Sequence, residues 1–236
     1  MAEIKTEEIF IGSVPVAVYG EDTGRAFLFV HGQGGNKEEA ERFAKIAQGF
    51  GYQVFGVDLP EHNGRRDGAR LLPWVVVPEL TAVMQHIKSR AKSVLVRANS
   101  IGAWFSLLAF AGEDIEKYLL VSPLLDMENM IGGMMRAAGV SEDQLEEKKE
   151  IGDLSWEYLC WVRKNPVRMP GGKISILYAE NDEVIPRHTV DAFAVKSGGA
   201  LCVMDGGEHW FHTPEQIAFM EKWEKKCLTG GYYGLH

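Results

Sequence analysis

Three kinds of side chain in this sequence could, if brought together, attack an electrophilic carbon and move the proton that the attack releases. Ser100 stands in the polar turn of SVLVRANSIGAWFSLLAFAG, between a β-branched run that reads as a strand and a helix that is apolar on nearly every side. Three carboxylates, Glu180, Asp182 and Glu183, lie in the loop that follows KISILYA and ends at Pro186. Two histidines, His209 and His212, follow ALCVMD in the loop GGEHWFH. A serine hydroxyl is a weak nucleophile near neutral pH, and imidazole is the side chain suited to taking its proton and returning it. A carboxylate beside that imidazole fixes its tautomer and stabilises the cation that forms. Each group also has a structural role open to it: Ser100 as a helix N-cap, the carboxylates as turn residues, a histidine as packing at a helix end.

Such groups meet only if the elements around them place their loops on one edge. EEIFIGS and VPVAVYG read as a hairpin, after which strand and helix alternate: RAFLFV, a helical NKEEAERFAKIAQGF, YQVFGV, a helix through Pro78 to Ala91, SVLVRA and IGAWFSLLAFAG. The strands are nearly continuous apolar runs, as expected where helices cover both faces of a parallel sheet. After YLLVS, the sixth strand, residues from about 124 to 168 hold no strand-like run but three helical ones. Ser141 with Gln144, and Ser155 before Trp156, supply N-caps there, and Pro166 stops the last helix. The alternation then returns with KISILYA, a helix from about Arg187 to Lys196, ALCVMD and a last helix from Pro214. Thr213, Pro214 and Gln216 mark the start of that helix, which leaves His209 on the loop before it. The expectation is one α/β domain over 1–236, with a mostly parallel central sheet, helices on both faces and a small helical cap inserted after the sixth strand. The tail GGYYGLH is expected to be loose.

Five segments together resemble the α/β-hydrolase fold superfamily over the chain from about Phe27 to Phe211, apart from the cap. Ala98-Asn99-Ser100-Ile101-Gly102 resembles the nucleophile elbow G-x-S-x-G, with alanine at the first glycine. The loop from Glu180 to Pro186 resembles the family's acid loop, where an aspartate precedes a proline by four residues, and so implies Asp182 as the acid. His209 falls where the family carries its base. His31-Gly32-Gln33-Gly34-Gly35 resembles the H-G-x-x-G turn, which implies the backbone N–H of Gln33 as one oxyanion donor and that of Ile101 as the other. Val57-Asp58-Leu59-Pro60-Glu61-His62-Asn63-Gly64 is similar to the D-x-P-G-H-G segment, a fold marker. HGQGGNKEEA looks most like bacterial carboxylesterases, including cinnamoyl and feruloyl esterases. The resemblance therefore implies a serine esterase without a cofactor, acting on a small-molecule acyl substrate through an acyl-enzyme. An amide or peptide hydrolase, a ligand-binding protein without turnover and a non-hydrolytic enzyme using the same triad remain open.

The remaining features bound the partners. With 33 acidic against 25 basic residues the formal charge is −8, a field that repels nucleic acid. No apolar run reaches the roughly 20 residues that span a bilayer. The N-terminus resembles no secretion signal, and three widely spaced cysteines suit neither a disulfide framework nor a zinc site; a cytoplasmic location is the expectation. Met127, Met130, Trp156 and Trp210 are candidates for an apolar acyl pocket, while the same methionine spacing also suits packing of the cap itself. Arg65, Arg66 and Arg70 read as a solvated basic loop.

Overall fold

In the computed structural model, which describes residues 4–229, the apolar runs become strands and the amphipathic or apolar segments between them become helices. Strand β1 (Thr6–Ile11) turns back through Gly12, at φ +62°, into β2 (Val14–Tyr19). Next come β3 (Arg25–Val30), a 3₁₀ turn (Lys37–Glu39) running into α1 (Ala40–Ala47), β4 (Gln53–Val57) and α2 (Pro73–Lys88). They lead to β5 (Ser93–Asn99), α3 (Ser100–Ala109) and β6 (Lys117–Val121). An insertion follows, with α4 (Met127–Ala138), α5 (Glu142–Lys148), the short hairpin β7 (Glu150–Ile151) and β8 (Leu154–Ser155), and α6 (Trp156–Lys164). Strand β9 (Lys173–Ala179), α7 (Arg187–Ser197), β10 (Ala200–Met204) and α8 (Pro214–Leu228) complete the chain. The tail 230–236, read from sequence as loose, lies outside the described residues.

The main sheet has the order β1-β2-β4-β3-β5-β6-β9-β10. Strand β2 pairs antiparallel with β1 and β4; all pairs from β4 to β10 are parallel. Parallel pairing sends every strand from β3 onward to the same edge, so the loops after β3, β5, β9 and β10 share one rim. Two buried clusters flank the sheet. Phe43, Ala44, Met220 and Trp223 bring α1 and α8 onto one face, and Val76, Leu80, Trp104, Phe105 and Phe193 bring α2, α3 and α7 onto the other. Met127, Ile131, Leu145 and Leu159 of the insertion join that second cluster. Each valine, leucine, isoleucine, phenylalanine or methionine among them, when fully buried, stabilises the fold by roughly 1.5–3 kcal/mol.

Two local expectations are corrected. The helix read through Pro78 to Ala91 ends at Lys88; it begins at Pro73, whose fixed φ suits a first turn after the extended Leu72, and Pro78 sits inside it. Val76, Leu80, Val83, Met84 and Ile87 keep that helix against the core although Pro78 removes one N–H from its ladder. The insertion, expected to hold helices only, also contains the hairpin β7–β8, whose two-residue strands are too short to leave an alternating pattern. Among the described residues no helix is long and apolar enough to cross a membrane.

Candidate active site

Ser100 opens α3 directly after β5, with φ at +46°, a left-handed conformation that costs a non-glycine residue about 1–2 kcal/mol. Close packing holds it there. A Cβ on Gly102 would lie 2.2 Å from the carbonyl oxygen of His31 and 2.8 Å from that of Val30, so glycine is required where α3 passes the end of β3. Ala98, fully buried between Val30 and Leu120 of the neighbouring strands, shows that the other small position accommodates one methyl.

Beneath the serine the sheet carries a buried charge. Arg97 Nε donates to Glu224 Oε1 of α8 at 2.8 Å, with both side chains fully buried. Its guanidinium also hydrogen-bonds the side-chain oxygen of Asn99 and faces the rings of Phe29 and Phe43. Burial lowers the pKa of Arg97, and Glu224 opposes that shift. The pair ties the strand that ends at Ser100 to the helix that follows the histidine loop.

The structure brings His209 to Ser100 and Asp182 to His209. Nε2 of His209 is 3.0 Å from Ser100 Oγ, and Nδ1 is 2.8 Å from Asp182 Oδ2. Asp182 Oδ1 accepts the backbone N–H groups of Val184 (2.9 Å) and Ile185 (2.8 Å). Burial alone would raise the Asp182 carboxyl, but the hydrogen bonds from His209, Ile185 and Val184 outweigh it and hold the pKa below the ordinary aspartate value. The rival groups have other places. Glu180 accepts the Gly206 N–H at 2.8 Å and so joins the acid loop to the histidine loop, whereas Glu183 is exposed. His212 is exposed, 3.4 Å from Glu208. Its backbone N–H donates to Gln216 Oε1, while Thr213 caps α8 by accepting the Gln216 N–H. Phe211, buried and at φ +46°, anchors the histidine loop in the core between α1 and α8.

On the other side of Ser100 runs the turn after β3, closed by a Gly35 N–H to Gly32 carbonyl bond of 3.1 Å. A Cβ on Gly32 would meet Ser100 Cβ at 3.2 Å, which measures how closely the turn approaches the hydroxyl. Gln33 projects from this turn beside Ser100, and Ile101 lies in the first turn of α3, where N–H groups lack an intrahelical acceptor. Two histidines brace the turn, a role not read from the sequence for His62. His31 donates from Nδ1 to the Gly32 carbonyl (2.7 Å) and accepts the Leu59 N–H (3.0 Å). His62 donates to the Pro60 carbonyl (2.8 Å) and accepts the Gly34 N–H (3.0 Å). Each imidazole thus has one donor and one acceptor engaged, and burial pushes the His31 pKa down to about 4. Asp58 stabilises the same corner by accepting the Lys37 N–H at 2.8 Å.

A cavity of about 420 Å³ opens above Ser100 and His209, walled by Gln33, Glu39, Arg42, Asn99, Trp210 and Met220 among others. Of the four pocket candidates only Trp210 lines it. Met127 is buried in the core, and Trp156 packs against that core from α6. Met130 lines a separate hollow of about 390 Å³ between α4 and the acid loop. The insertion touches the elbow through its chain entry, where the Leu124 N–H donates to the Ser100 carbonyl at 3.1 Å. Glu39, Arg42 and Met220 were not foreseen as wall residues, because α1 and α8 carry no local sign of which end faces the site. The basic loop is solvated at Arg66 and Arg70, as expected, but the Arg65 side chain is buried and paired with Glu79 and Asp67. Among the described residues no group of three His, Cys, Asp or Glu side chains is placed to hold a metal ion.

No protein-family model and no curated protein sequence matches this chain. Solved structures do. Est1E from Butyrivibrio proteoclasticus, with ferulic acid bound, superposes with a TM-score of 0.73 at 17% identity, over 95% of this chain and 98% of that one. An esterase from Pyrococcus furiosus gives 0.64 at 17% identity, over 96% and 91%. An alpha-beta serine hydrolase homologue from Coxiella burnetii gives 0.65 at 15%, over 95% and 97%. With matches of this extent and a sheet of this order and direction, the chain has the α/β-hydrolase fold.

Proposed function

We propose that the protein is a serine hydrolase that cleaves a carboxylic ester of small or medium acyl size through an acyl-enzyme intermediate. The observation that carries this reading is the unbroken hydrogen-bonded chain from Ser100 Oγ through His209 to Asp182, at the floor of an open cavity and on a strained serine. Ser100 Oγ attacks the ester carbonyl carbon while His209 Nε2 takes the hydroxyl proton. Asp182 holds Nδ1–H in place and stabilises the imidazolium. Charge develops on the former carbonyl oxygen, which the backbone N–H groups of Gln33 and Ile101 receive; loss of one such donor typically costs about 3–4 kcal/mol of transition-state stabilisation. As the tetrahedral species collapses, the bond to the alcohol breaks and His209 returns the proton to the leaving oxygen. Water, deprotonated by His209, then attacks the acyl-enzyme and releases the acid, with the proton passing back to Ser100.

Ester chemistry is favoured by what the neighbours are named for: one is named an esterase, and another, Est1E, has ferulic acid bound. Labelling with a fluorophosphonate, followed by mass-spectrometric mapping, tests the nucleophile. The expected adduct is on Ser100, absent from Ser100→Ala. A panel of acyl esters beside matched aminoacyl arylamides tests the bond: faster turnover of the esters supports the reading, and a preference for the amides replaces it with an amidase. A wild-type protein that takes no label and turns over neither panel would point to a binding role on the same fold.

A further inference from the structure

The wall of the Ser100 cavity holds a cation that has no ion-pair partner among the described residues. Arg42 lies on α1 and lines that cavity. Among the described residues its guanidinium makes one contact, from Nη2 to Met220 Sδ at 3.8 Å, and its Nε is buried without a protein partner. The other charges nearby are accounted for. Lys45 pairs with Glu41 at 2.7 Å, Glu38 with Lys37 at 2.6 Å, and Arg97 with Glu224 at 2.8 Å. Among the described residues Glu39 is the one wall carboxylate without an ion-pair partner. It lies against Gly35; partial burial raises its carboxyl, opposed by the Asn36 N–H, the fields of Arg97 and Arg42, and a hydrogen bond from Asn99. Glu39 and Arg42 form no ion pair, and Arg42 has no carboxylate acceptor within hydrogen-bond distance among the described residues where it lines the cavity. Trp210, Phe211 and Met220 make much of the remaining wall apolar, and a charge pair formed there is screened less than at an open surface.

We propose that Arg42 is a specificity-determining residue that binds a carboxylate carried by the substrate, so that the ester cleaved at Ser100 belongs to a dicarboxylic or otherwise anionic acyl compound. This rests on the esterase reading for its chemistry and deepens it. A planar guanidinium with unused donors matches a carboxylate in two-point geometry, which gives orientation as well as affinity. An arginine that only shielded Met220 from solvent would not distinguish charged from neutral substrates.

The test uses 4-nitrophenyl monoesters of succinate, glutarate and adipate, each beside the neutral compound in which the free carboxylate is a primary amide. For wild type, kcat/KM is expected to be higher for at least one anionic ester than for its amide, with the ratio falling as salt rises. Arg42→Gln should lower that ratio at least about tenfold, Arg42→Lys should restore part of it, and Glu39→Gln should raise it. An equal ratio in wild type and Arg42→Gln, or no wild-type preference for any anion, overturns the inference while leaving the esterase reading intact. If wild type cleaves no ester, the esterase reading fails instead. Calorimetric binding of the same compounds to Ser100→Ala and to Ser100→Ala/Arg42→Gln then decides the charge preference: tighter anion binding only when Arg42 is present supports it, and equal binding overturns it.

Discussion

The two sides of the nucleophile strand are built on different principles. Toward α1 and α8, β5 presents Arg97, held by Glu224, Asn99 and the rings of Phe29 and Phe43, with Glu39 and Arg42 above it. Toward α2, α3 and α6 the buried Trp104 packs on the half-buried Tyr158 and Trp161, which in turn meet Trp74, with ring centroids 6.1 to 6.4 Å apart in these pairs. The polar side fixes positions through directional bonds between elements far apart in sequence; the apolar side supplies area and shape. A site that needs a hydroxyl, an imidazole and a carboxylate in line draws its alignment from the first and its rigidity from the second.

The largest effect falls where the two sides meet. Ser100→Ala should lower kcat/KM by a factor on the order of 10⁴ or more with the fold intact, whereas Ser100→Gly should lose activity equally and gain about 1 kcal/mol of stability by relieving the positive φ. Urea unfolding of both variants separates chemistry from strain.

Single truncations then separate the two sides. Glu224→Leu should cost about 3–5 kcal/mol because it leaves Arg97 buried without its counter-charge, and adding Arg97→Met should recover most of that loss. Trp104→Ala should cost a similar amount, roughly 3–5 kcal/mol, through a cavity that no single partner substitution repairs. Equal recovery on both sides in denaturation curves would remove the distinction.

The hydrogen bonds that brace the turn respond to acid. His31 has its pKa lowered to about 4 by burial, below the ordinary 6.5, so the unfolded chain binds its proton first. Its share of stability is complete above pH 6.5 and is lost as pH falls toward 4, by about 2 kcal/mol at pH 5. Asp182 adds a smaller loss at lower pH, since its depressed pKa stabilises the fold above 3.8 and that contribution disappears as pH falls through the folded value. A wild-type urea midpoint that does not move between pH 7 and pH 5 would contradict the His31 assignment; His31→Asn should flatten the profile. The smallest effect is expected at the rim, where Trp210 is 57% exposed: Trp210→Ala should change stability by less than about 0.5 kcal/mol, in the same unfolding assay.

The same contrast explains what was legible in the sequence. Strands buried on both faces leave unbroken apolar runs, so the order of elements and the rim that carries Ser100, Asp182 and His209 could be read directly. The small residues Ala98 and Gly102 mark a crossing that only small side chains permit. Asp182 could not be separated from Glu180 and Glu183 by residue type alone; what separates them is which oxygen meets Nδ1 of His209 and which meets Gly206. The polar side was hidden for a general reason. Arg97 reads only as an interruption in an apolar run, because its partner Glu224 is 127 residues away, and no local period reports such a pairing. Met127 and Trp156 have the composition of a pocket wall and the location of a core, and composition cannot tell these apart.

The span between Ser100 and His209 bears on when the chain becomes reactive. These residues are 109 positions apart, and the helix that carries Glu224 comes later still. During synthesis the hydroxyl therefore leaves the ribosome long before the imidazole, and the last helix docks on Arg97 only after both have emerged. A partly made chain would carry Ser100 without its histidine, and the hydrogen-bonded chain through His209 would form only with the closing step of folding.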